Sequence, residues 1–161
     1  MNTTDKRLSR RVILQGAGAV ALVGLGNLSF GSPALAAAND KYPEDAFKQK
    51  SDADAIKALY GKPAETSDKI KLDAPEIAEN GGVVPVSMTT TLPDVSSIAF
   101  VVAENPIVLV AAYKIPAGTV PAVANRIKMA KTSKVTVLVE AGGKLYRTDK
   151  EVKVTVGGCG G

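Results

Sequence analysis

Short, closely spaced runs of strand-forming residues fill this chain from residue 70 to residue 156, and this pattern constrains its fold more than any other feature. Turn sequences such as ENGG, LPD, IPAG and EAGG separate the runs, and no helical pattern intervenes. Val152, Val154 and Val156 alternate with polar residues and share one face. The predicted strands span 70–72, 83–92, 97–103, 107–115, 122–130, 134–140 and 144–156, with a break expected near Asp149.

About seven short strands without helices between them predict an all-β fold, an antiparallel β-sandwich of immunoglobulin-like type. The prediction depends on the strand pattern alone, because the chain has no tryptophan and only one cysteine, and therefore lacks the marker residues of antibody domains.

A single N-terminal helix is predicted over 42–61, ahead of the strands. Pro43, Glu44 and Asp45 suit the first turn of a helix, and Gly61 followed by Pro63 is a stop signal. This helix is expected to pack its apolar stripe against the core, and the alternative is a stripe that faces a partner protein. The stripe consists of Phe47, Ala53, Ile56, Leu59 and Tyr60.

The run IVLVAAYKI, at 107–115, is nearly continuous in apolar residues. Such a run is typical of a central strand that is buried on both faces. A strand whose outer face meets another protein would have the same composition, so periodicity leaves both interpretations open.

The first 38 residues have the three parts of an export signal. A charged stretch ends in Arg10 and Arg11, an uncharged run follows, and PALAAA offers small residues for cleavage after Ala36 or Ala38. The sequence SRRVILQ, at 9–15, resembles the twin-arginine motif. The apolar run that follows it contains glycines and is less hydrophobic than the apolar run of an ordinary secretory signal. An uncleaved membrane anchor is the alternative, because the uncharged run approaches the ~20 residues that a spanning helix needs.

Removal of residues 1–36 changes the electrostatic character of the chain. The whole sequence has 20 Lys+Arg against 16 Asp+Glu, a net charge of +4. Without the signal the counts are 16 and 15, a net charge of +1, so the charge gives no support for nucleic-acid binding. We predict four parts: the signal at 1–36, a helical segment at 37–68, the sandwich at 69–156 and a flexible arm at 157–161.

The chain has few side chains that could catalyse a reaction. It contains no histidine and one cysteine. These counts exclude histidine-based catalytic triads, histidine-ligated metals, internal disulfides and multi-cysteine metal sites. Most of the usual catalytic side chains and metal ligands are therefore missing.

The single cysteine, Cys159, lies in the sequence GGCGG that ends the chain. Glycine visits backbone conformations that are closed to other residues, so this tail is expected to be a flexible arm that does not pack. When extended, the arm places Cys159 roughly 10 Å beyond Val156. The flanking glycines are Gly157, Gly158, Gly160 and Gly161.

The surroundings of Cys159 favour the transport of a covalent cargo over catalysis. No Lys, Arg or helix amino terminus is adjacent in sequence to activate the thiol. A glycine arm is slim enough to enter a narrow channel, so it can deliver a sulfur-bound group into the active site of another protein. An incidental thiol and an intermolecular disulfide are the alternatives, but the first is a liability in an exported protein and the second would hide the thiol.

Four segments carry a resemblance to a known family: SRRVILQ at 9–15, PEIAENGGVVPV at 75–86, NRIKMAKTSKVTVLVEAGGKLY at 125–146 and KEVKVTVGGCGG at 150–161. Together they resemble the SoxY family, sulfur carriers of periplasmic thiosulfate oxidation. The resemblance covers essentially the whole chain, and the GGCGG ending is its most specific part. It implies an immunoglobulin-like sandwich, a heterodimer with SoxZ, and Cys159 as the covalent attachment point for sulfur intermediates.

The resemblance also implies a cycle that partner enzymes carry out. The haem enzyme SoxAX couples thiosulfate to the cysteine, the hydrolase SoxB releases sulfate and leaves a persulfide, and SoxCD, where present, oxidises the retained sulfur. Each enzyme brings its own cofactor, so the resemblance implies a carrier that is not an enzyme and has no cofactor of its own. This accounts for the missing histidines. SoxZ is expected to lack a signal and to be exported with the folded chain, so the mature protein is expected in the periplasm and not in the membrane.

The densest basic cluster after the signal consists of Arg126, Lys128, Lys131 and Lys134. We interpret it as a solvated strand face and turn, and a docking surface for SoxZ or the enzymes is the alternative. Asp149 and Glu151 are expected to be surface charges of a strand, because nothing nearby in the sequence supplies a nucleophile or a metal.

Two rival functions explain less of the sequence. A ubiquitin-like carrier also ends in Gly-Gly and holds sulfur as a thiocarboxylate on its last residue, but such carriers lack an export signal and need no cysteine near the end. A structural, exported immunoglobulin-like module would leave the GGCGG ending unexplained.

Overall fold

The computed structural model describes residues 42–157, which form two short helices and nine strands. The export segment with Arg10 and Arg11 lies outside the described residues, as do residues 158–161. No helix within 42–157 is long and apolar enough to cross a membrane. The elements are α1 (Glu44–Phe47), α2 (Asp52–Tyr60), β1 (Ala64–Thr66), β2 (Ile70–Asp73), β3 (Ile77–Asn80), β4 (Val84–Thr90), β5 (Val95–Val102), β6 (Leu109–Lys114), β7 (Ala122–Ile127), β8 (Ser133–Ala141) and β9 (Lys144–Val156).

The strands form two sheets that enclose a common core, which confirms the predicted all-β, immunoglobulin-like sandwich. In the larger sheet the order is β1, β9, β8, β5, β6, and β3 also pairs with β9. The smaller sheet has the order β2, β4, β7. Each of the predicted runs coincides with one observed strand to within a few residues.

Two observed strands, β1 and β3, were not predicted, and both run parallel to β9. β1 aligns Ala64 with Leu145, whereas β3 aligns Ala78 with Val154, so the two strands follow each other along one edge of β9. The expectation of a purely antiparallel sandwich is therefore wrong at this edge, although the pairings of β2 and of β4–β8 with their neighbours are antiparallel. β1 also lies inside 37–68, the segment predicted to be helical.

Apolar side chains cover both faces of the larger sheet. Because β5 and β8 are covered on both faces, their sequences are nearly continuous in apolar residues. The layer between the two sheets includes the buried residues Met88, Phe100, Val137 and Val152. The layer on the opposite face, against the helices, includes the buried residues Ala99, Val101, Leu138 and Leu145.

The sequence leaves two interpretations of β6 open and predicts a break in β9. Within the described part of the chain, β6 pairs only with β5, so it is an edge strand and not a central strand buried on both faces. Its residues 110–113 are half-buried. β9 continues through the expected break, because Asp149 pairs in register with Thr136 of β8.

Two helices replace the single helix predicted over 42–61. Ser51 begins α2, where its Oγ accepts a hydrogen bond from the backbone N–H of Asp54 at 3.2 Å. Gly61 ends α2 in the left-handed conformation (φ 64°), as the stop signal predicts. The apolar stripe packs on the sheet, which confirms its role in the core, but Ala53 is exposed and Ala55 is the buried residue.

Tyr60, at the end of α2, should make the stability of the fold sensitive to alkaline pH. Burial raises the pKa of its hydroxyl to about 12 from 10.0, although a hydrogen bond with Ser97 opposes the shift. The folded state favours the neutral phenol, so the burial of Tyr60 contributes to the free energy of unfolding. This contribution is complete below pH 10 and is lost as the pH rises towards about 12. We expect the Tyr60→Phe variant to lose less stability over this pH range, measured by urea unfolding at each pH. Identical pH profiles for the two proteins would contradict the prediction.

Candidate functional site

Three segments that are distant in sequence meet where β9 ends. They are the turn after β3, the stretch that joins β7 to β8, and the last residues of β9. These segments belong to 75–86, 125–146 and 150–161, which carry the family resemblance outside the export signal. The structure therefore assembles the resemblance motifs around the base of the carboxyl-terminal sequence.

Backbone hydrogen bonds join the three segments in series. The N–H of Gly81 donates to the carbonyl oxygen of Val156 at 2.7 Å, and the N–H of Met129 donates to the carbonyl oxygen of Gly81 at 2.7 Å. Asn80 Oδ1 accepts the N–H of Gly82 at 2.7 Å and so shapes the turn. Met129 is fully buried, which anchors its segment in the core. We call residues 80–82, 128–132 and 154–157 the clasp.

Asn105 supports the clasp from the loop after β5. Its Oδ1 accepts the N–H of Ala130 at 2.9 Å, and its Nδ2 donates to the carbonyl oxygen of Lys128 at 2.8 Å. The backbone N–H of Asn105 donates in turn to the carbonyl oxygen of Val102 at 3.2 Å. One amide side chain thus satisfies a donor and an acceptor of an irregular segment and restricts the backbone on either side of Met129.

Hydroxyl groups hold β9 beyond the point where its ladder with β8 ends at Val152. Thr132 Oγ1 accepts the N–H of Val154 at 2.9 Å. Thr155 Oγ1 donates to the carbonyl oxygen of Glu79 at 2.9 Å, on the β3 side. β9 is therefore held on both edges until its last residues.

Gly157 is half-buried and lies against Ala130. A Cβ atom at Gly157 would lie 2.3 Å from the carbonyl oxygen of Ala130, far inside the usual contact distance. The structure differs here from the expected arm that does not pack, because the Ala130 backbone fills the space beside Gly157. The predicted attachment residue Cys159 lies outside the described residues together with Gly158, Gly160 and Gly161.

The predicted basic cluster adjoins the clasp and overlaps it at Lys128 and Lys131. Lys131 Nζ lies 2.8 Å from Glu104 Oε2, and Lys134 is paired with a carboxylate of β9. The remaining cations of the cluster belong to the exposed side chains of Arg126 and Lys128. The ion pairs of Lys131 and Lys134 therefore neutralise part of the positive charge that the sequence suggests for this cluster.

Asp149 is the carboxylate that pairs with Lys134, at 3.2 Å, and it also accepts a hydrogen bond from Arg147 at 3.1 Å. Burial alone would raise the pKa of Asp149, but the hydrogen bonds from Arg147 and Lys134 outweigh it and hold the pKa below its usual value. Glu151 is exposed. Asp149 is therefore a paired surface charge, as predicted, and within 42–157 no three acidic, histidine or cysteine residues group as metal ligands.

A second polar group, which no sequence motif marks, lies at the other end of β9. Lys62 Nζ donates to Glu140 Oε1 at 2.6 Å and to the carbonyl oxygen of Gly143 at 2.9 Å. The hydrogen bond from Lys62 holds the pKa of Glu140 below its usual value, and one from Ser96 acts in the same direction. This group links the segment after α2 to the β8–β9 turn, and only the tertiary fold brings its members together.

The fold and the clasp define an immunoglobulin-like sandwich whose last strand is held in place just before a cysteine-containing carboxyl terminus. The family model described as "Sulfur oxidation protein SoxY" matches residues 56–159, which include the clasp and Cys159. The chain belongs to the SoxY family of sulfur oxidation proteins.

One solved structure agrees with this assignment, and a second shares the fold. The sulfur carrier protein SoxY from Chlorobium limicola f thiosulfatophilum is 44% identical, with a TM-score of 0.60, over 65% of this chain and 96% of the other. A superoxide reductase (neelaredoxin) from Ignicoccus hospitalis has a TM-score of 0.50 over 59% of this chain and 98% of the other. At 19% identity, this second likeness shows the fold alone. No curated protein sequence matches the chain.

Proposed function

We propose that this protein is a covalent sulfur carrier that holds thiosulfate-derived intermediates on the thiol of Cys159. The observation that carries the proposal is the position of the only cysteine, within the family match and two residues after the clasped Gly157. The related Chlorobium protein, described as a sulfur carrier, supports it at 44% identity.

The proposed loading step is an oxidative coupling. The thiol of Cys159 and the outer sulfur of thiosulfate form an S–S bond, which gives a cysteine S-thiosulfonate, a proton and two electrons; the haem enzyme SoxAX accepts the electrons. Water then attacks the sulfonate sulfur in the active site of SoxB, so that sulfate and a proton leave and a persulfide stays on Cys159. Where SoxCD is present, it accepts six electrons from the outer sulfur of the persulfide, while three water molecules supply oxygen and seven protons are released. The sulfonate that forms is then hydrolysed by SoxB to sulfate, which returns the thiol of Cys159.

The carrier itself supplies attachment and presentation in this scheme, and we propose that it is not an enzyme and holds no cofactor. The S–S bond places the cargo at the end of a narrow glycine-containing segment. SoxZ is the proposed stable partner, and SoxAX, SoxB and SoxCD are transient partners that act on the presented sulfur. Two exposed cations, Arg126 beside the clasp and Lys128 within it, support a docking role for part of the basic cluster.

We further propose that the twin-arginine signal, with Arg10 and Arg11, directs the protein to the periplasm. The signal pattern supports this proposal. The twin-arginine route carries folded proteins, so it would also carry a bound SoxZ that has no signal of its own. Cleavage after Ala36 or Ala38 would leave the sandwich without the apolar run of the signal.

One isolation tests the carrier, the partner and the export together. The protein is purified under native conditions from the periplasmic fraction of cells grown on thiosulfate, and intact and tryptic masses are measured. We expect a chain that begins at residue 37 or 39, a stable second subunit, and thiosulfonate or added sulfur on Cys159 in the peptide 154–161. Cells grown without a sulfur source to oxidise provide the control, in which the thiol should be unmodified.

Each rival function gives a different result in this experiment. A thiocarboxylate carrier would hold the added sulfur on Gly161 and leave the Cys159 thiol free. A structural module would show an unmodified chain under both growth conditions. A covalent dimer that loses its bond on reduction would indicate the intermolecular disulfide.

A further inference from the structure

We propose that Gly157 is a positioning residue for Cys159: the clasp fixes this glycine, so that the thiol is presented from a defined point at the edge of the sandwich. The inference rests on the proposed carrier function. It assigns the first glycine of the GGCGG sequence a role that differs from flexibility.

The requirement for glycine at 157 is steric. The φ angle of Gly157 lies outside the left-handed region, so an L-residue could adopt its backbone conformation. An added methyl group would nevertheless lie 2.3 Å from the Ala130 carbonyl oxygen and 3.4 Å from the Ala130 carbonyl carbon. Both contacts are with backbone, which cannot turn away as a flexible side chain can.

Ala130 has little freedom to move away from a larger residue at 157. Its N–H is bonded to Asn105 Oδ1, and the carbonyl of Lys128 is bonded to Asn105 Nδ2. Met129, between them, is fully buried and donates to Gly81. A side chain at 157 would therefore either displace the carboxyl terminus or break the hydrogen bonds of the clasp.

The position of Gly157 limits the reach of Cys159. Counted from Val156, three residues can span at most roughly 10 Å of extended chain. Counted from Gly157, two residues can span at most roughly 7 Å. Any enzyme that acts on the cargo must therefore bring its reacting group close to the clasp, which makes the clasp surface part of each docking interface.

The test compares Gly157→Ala with Gly158→Ala, which adds the same methyl group one residue further along. Each variant is expressed in cells that lack the native copy, and three quantities are measured: Cys159 adduct formation after thiosulfate addition, alkylation by iodoacetamide, and amide exchange at Gly81 and Met129. For Gly157→Ala we expect adduct formation about tenfold slower, faster exchange at both amides, and unchanged alkylation. For Gly158→Ala we expect native amide exchange and a smaller loss of rate.

A second variant keeps the test decisive if Gly157→Ala fails to fold. Asn105→Ala leaves the carboxyl-terminal sequence intact but removes the two side-chain hydrogen bonds from Asn105 to Lys128 and Ala130. It should accelerate exchange at Met129 and slow adduct formation, again with unchanged alkylation. Native rates of adduct formation in Asn105→Ala, despite faster exchange, would overturn the inference.

The outcomes separate this inference from the carrier proposal. If the wild-type protein carries adducts but Gly157→Ala and Gly158→Ala behave alike, the positioning role of Gly157 is wrong and the carrier function stands. If the wild-type protein never carries sulfur on Cys159, the carrier function itself is wrong.

Discussion

Replacement of Cys159 by serine is expected to abolish sulfur loading and, with it, thiosulfate oxidation by the cell. Serine is nearly isosteric with cysteine, but its oxygen cannot form the S–S bond that the proposed loading step requires. The chain has one cysteine, so no second thiol can substitute. We therefore expect no adduct on peptide 154–161, and no sulfate formation from thiosulfate, when Cys159→Ser replaces the native copy.

The control for this variant introduces serine at a distant, exposed position. Val120 is 77% exposed in the loop between β6 and β7, so Val120→Ser should fold, bind its partners and carry sulfur as the wild type does. Thermal unfolding of both variants separates loss of chemistry from loss of structure. Sulfate formation at the native rate by Cys159→Ser would reject the carrier proposal, whatever the masses of the wild-type protein show.

The sequence was sufficient to predict the sandwich because most strands carry their own signal. β4, β5 and β8 are rich in Val, Ile and other apolar residues, and the turns between strands contain Gly, Pro and Asn. β1 and β3 carry no such signal, since their sequences are AET and IAEN. They are strands because each pairs in parallel with an edge of β9, and a non-local pairing of this kind leaves no trace in local periodicity.

The sequence predicts the reactive group of the candidate site but not the residues that pack around it. GGCGG singles out Cys159 as the chemical group, and the family resemblance identifies the three segments that meet where β9 ends. The glycines at 157 and 158 look equivalent in sequence, yet only the fold brings the Ala130 carbonyl against Gly157. The supporting role of Asn105 is also tertiary, because its partners Lys128 and Ala130 lie on a different connection.

Replacement of Phe100 by alanine is expected to cause the largest loss of stability of any single truncation in the core. Phe100 is the largest fully buried side chain of the described residues. Aromatic residues make up 4% of the chain, so few other rings can fill the space. Phe→Ala substitutions in cores lower the free energy of unfolding by about 3–5 kcal/mol. The whole free energy of unfolding of a domain is about 5–15 kcal/mol. We expect urea unfolding to show a loss of about 3–5 kcal/mol for Phe100→Ala.

The position of Phe100 explains why the cavity would not close. The ring packs edge-on against Tyr113, at 6.4 Å between centroids and 86° between planes. The hydroxyl of Tyr113 accepts a hydrogen bond from Asn125 Nδ2 at 2.9 Å. Tyr113 of β6 therefore contacts both β5 in its own sheet and β7 in the other sheet. When the Phe100 ring is lost, the hydrogen bond with Asn125 still holds Tyr113 in place. Tyr113 therefore cannot move freely into the cavity.

Two further variants test this explanation for Phe100→Ala. Val120→Ala removes apolar atoms at an exposed site and should change the free energy of unfolding by no more than about 0.5 kcal/mol. Leucine in Phe100→Leu fills most of the cavity. Its loss of free energy of unfolding should therefore lie between the losses of Val120→Ala and Phe100→Ala. A loss below about 1 kcal/mol for Phe100→Ala would mean that the sheets close over the site. The Phe100–Tyr113–Asn125 connection would then not hold the two sheets at their observed spacing.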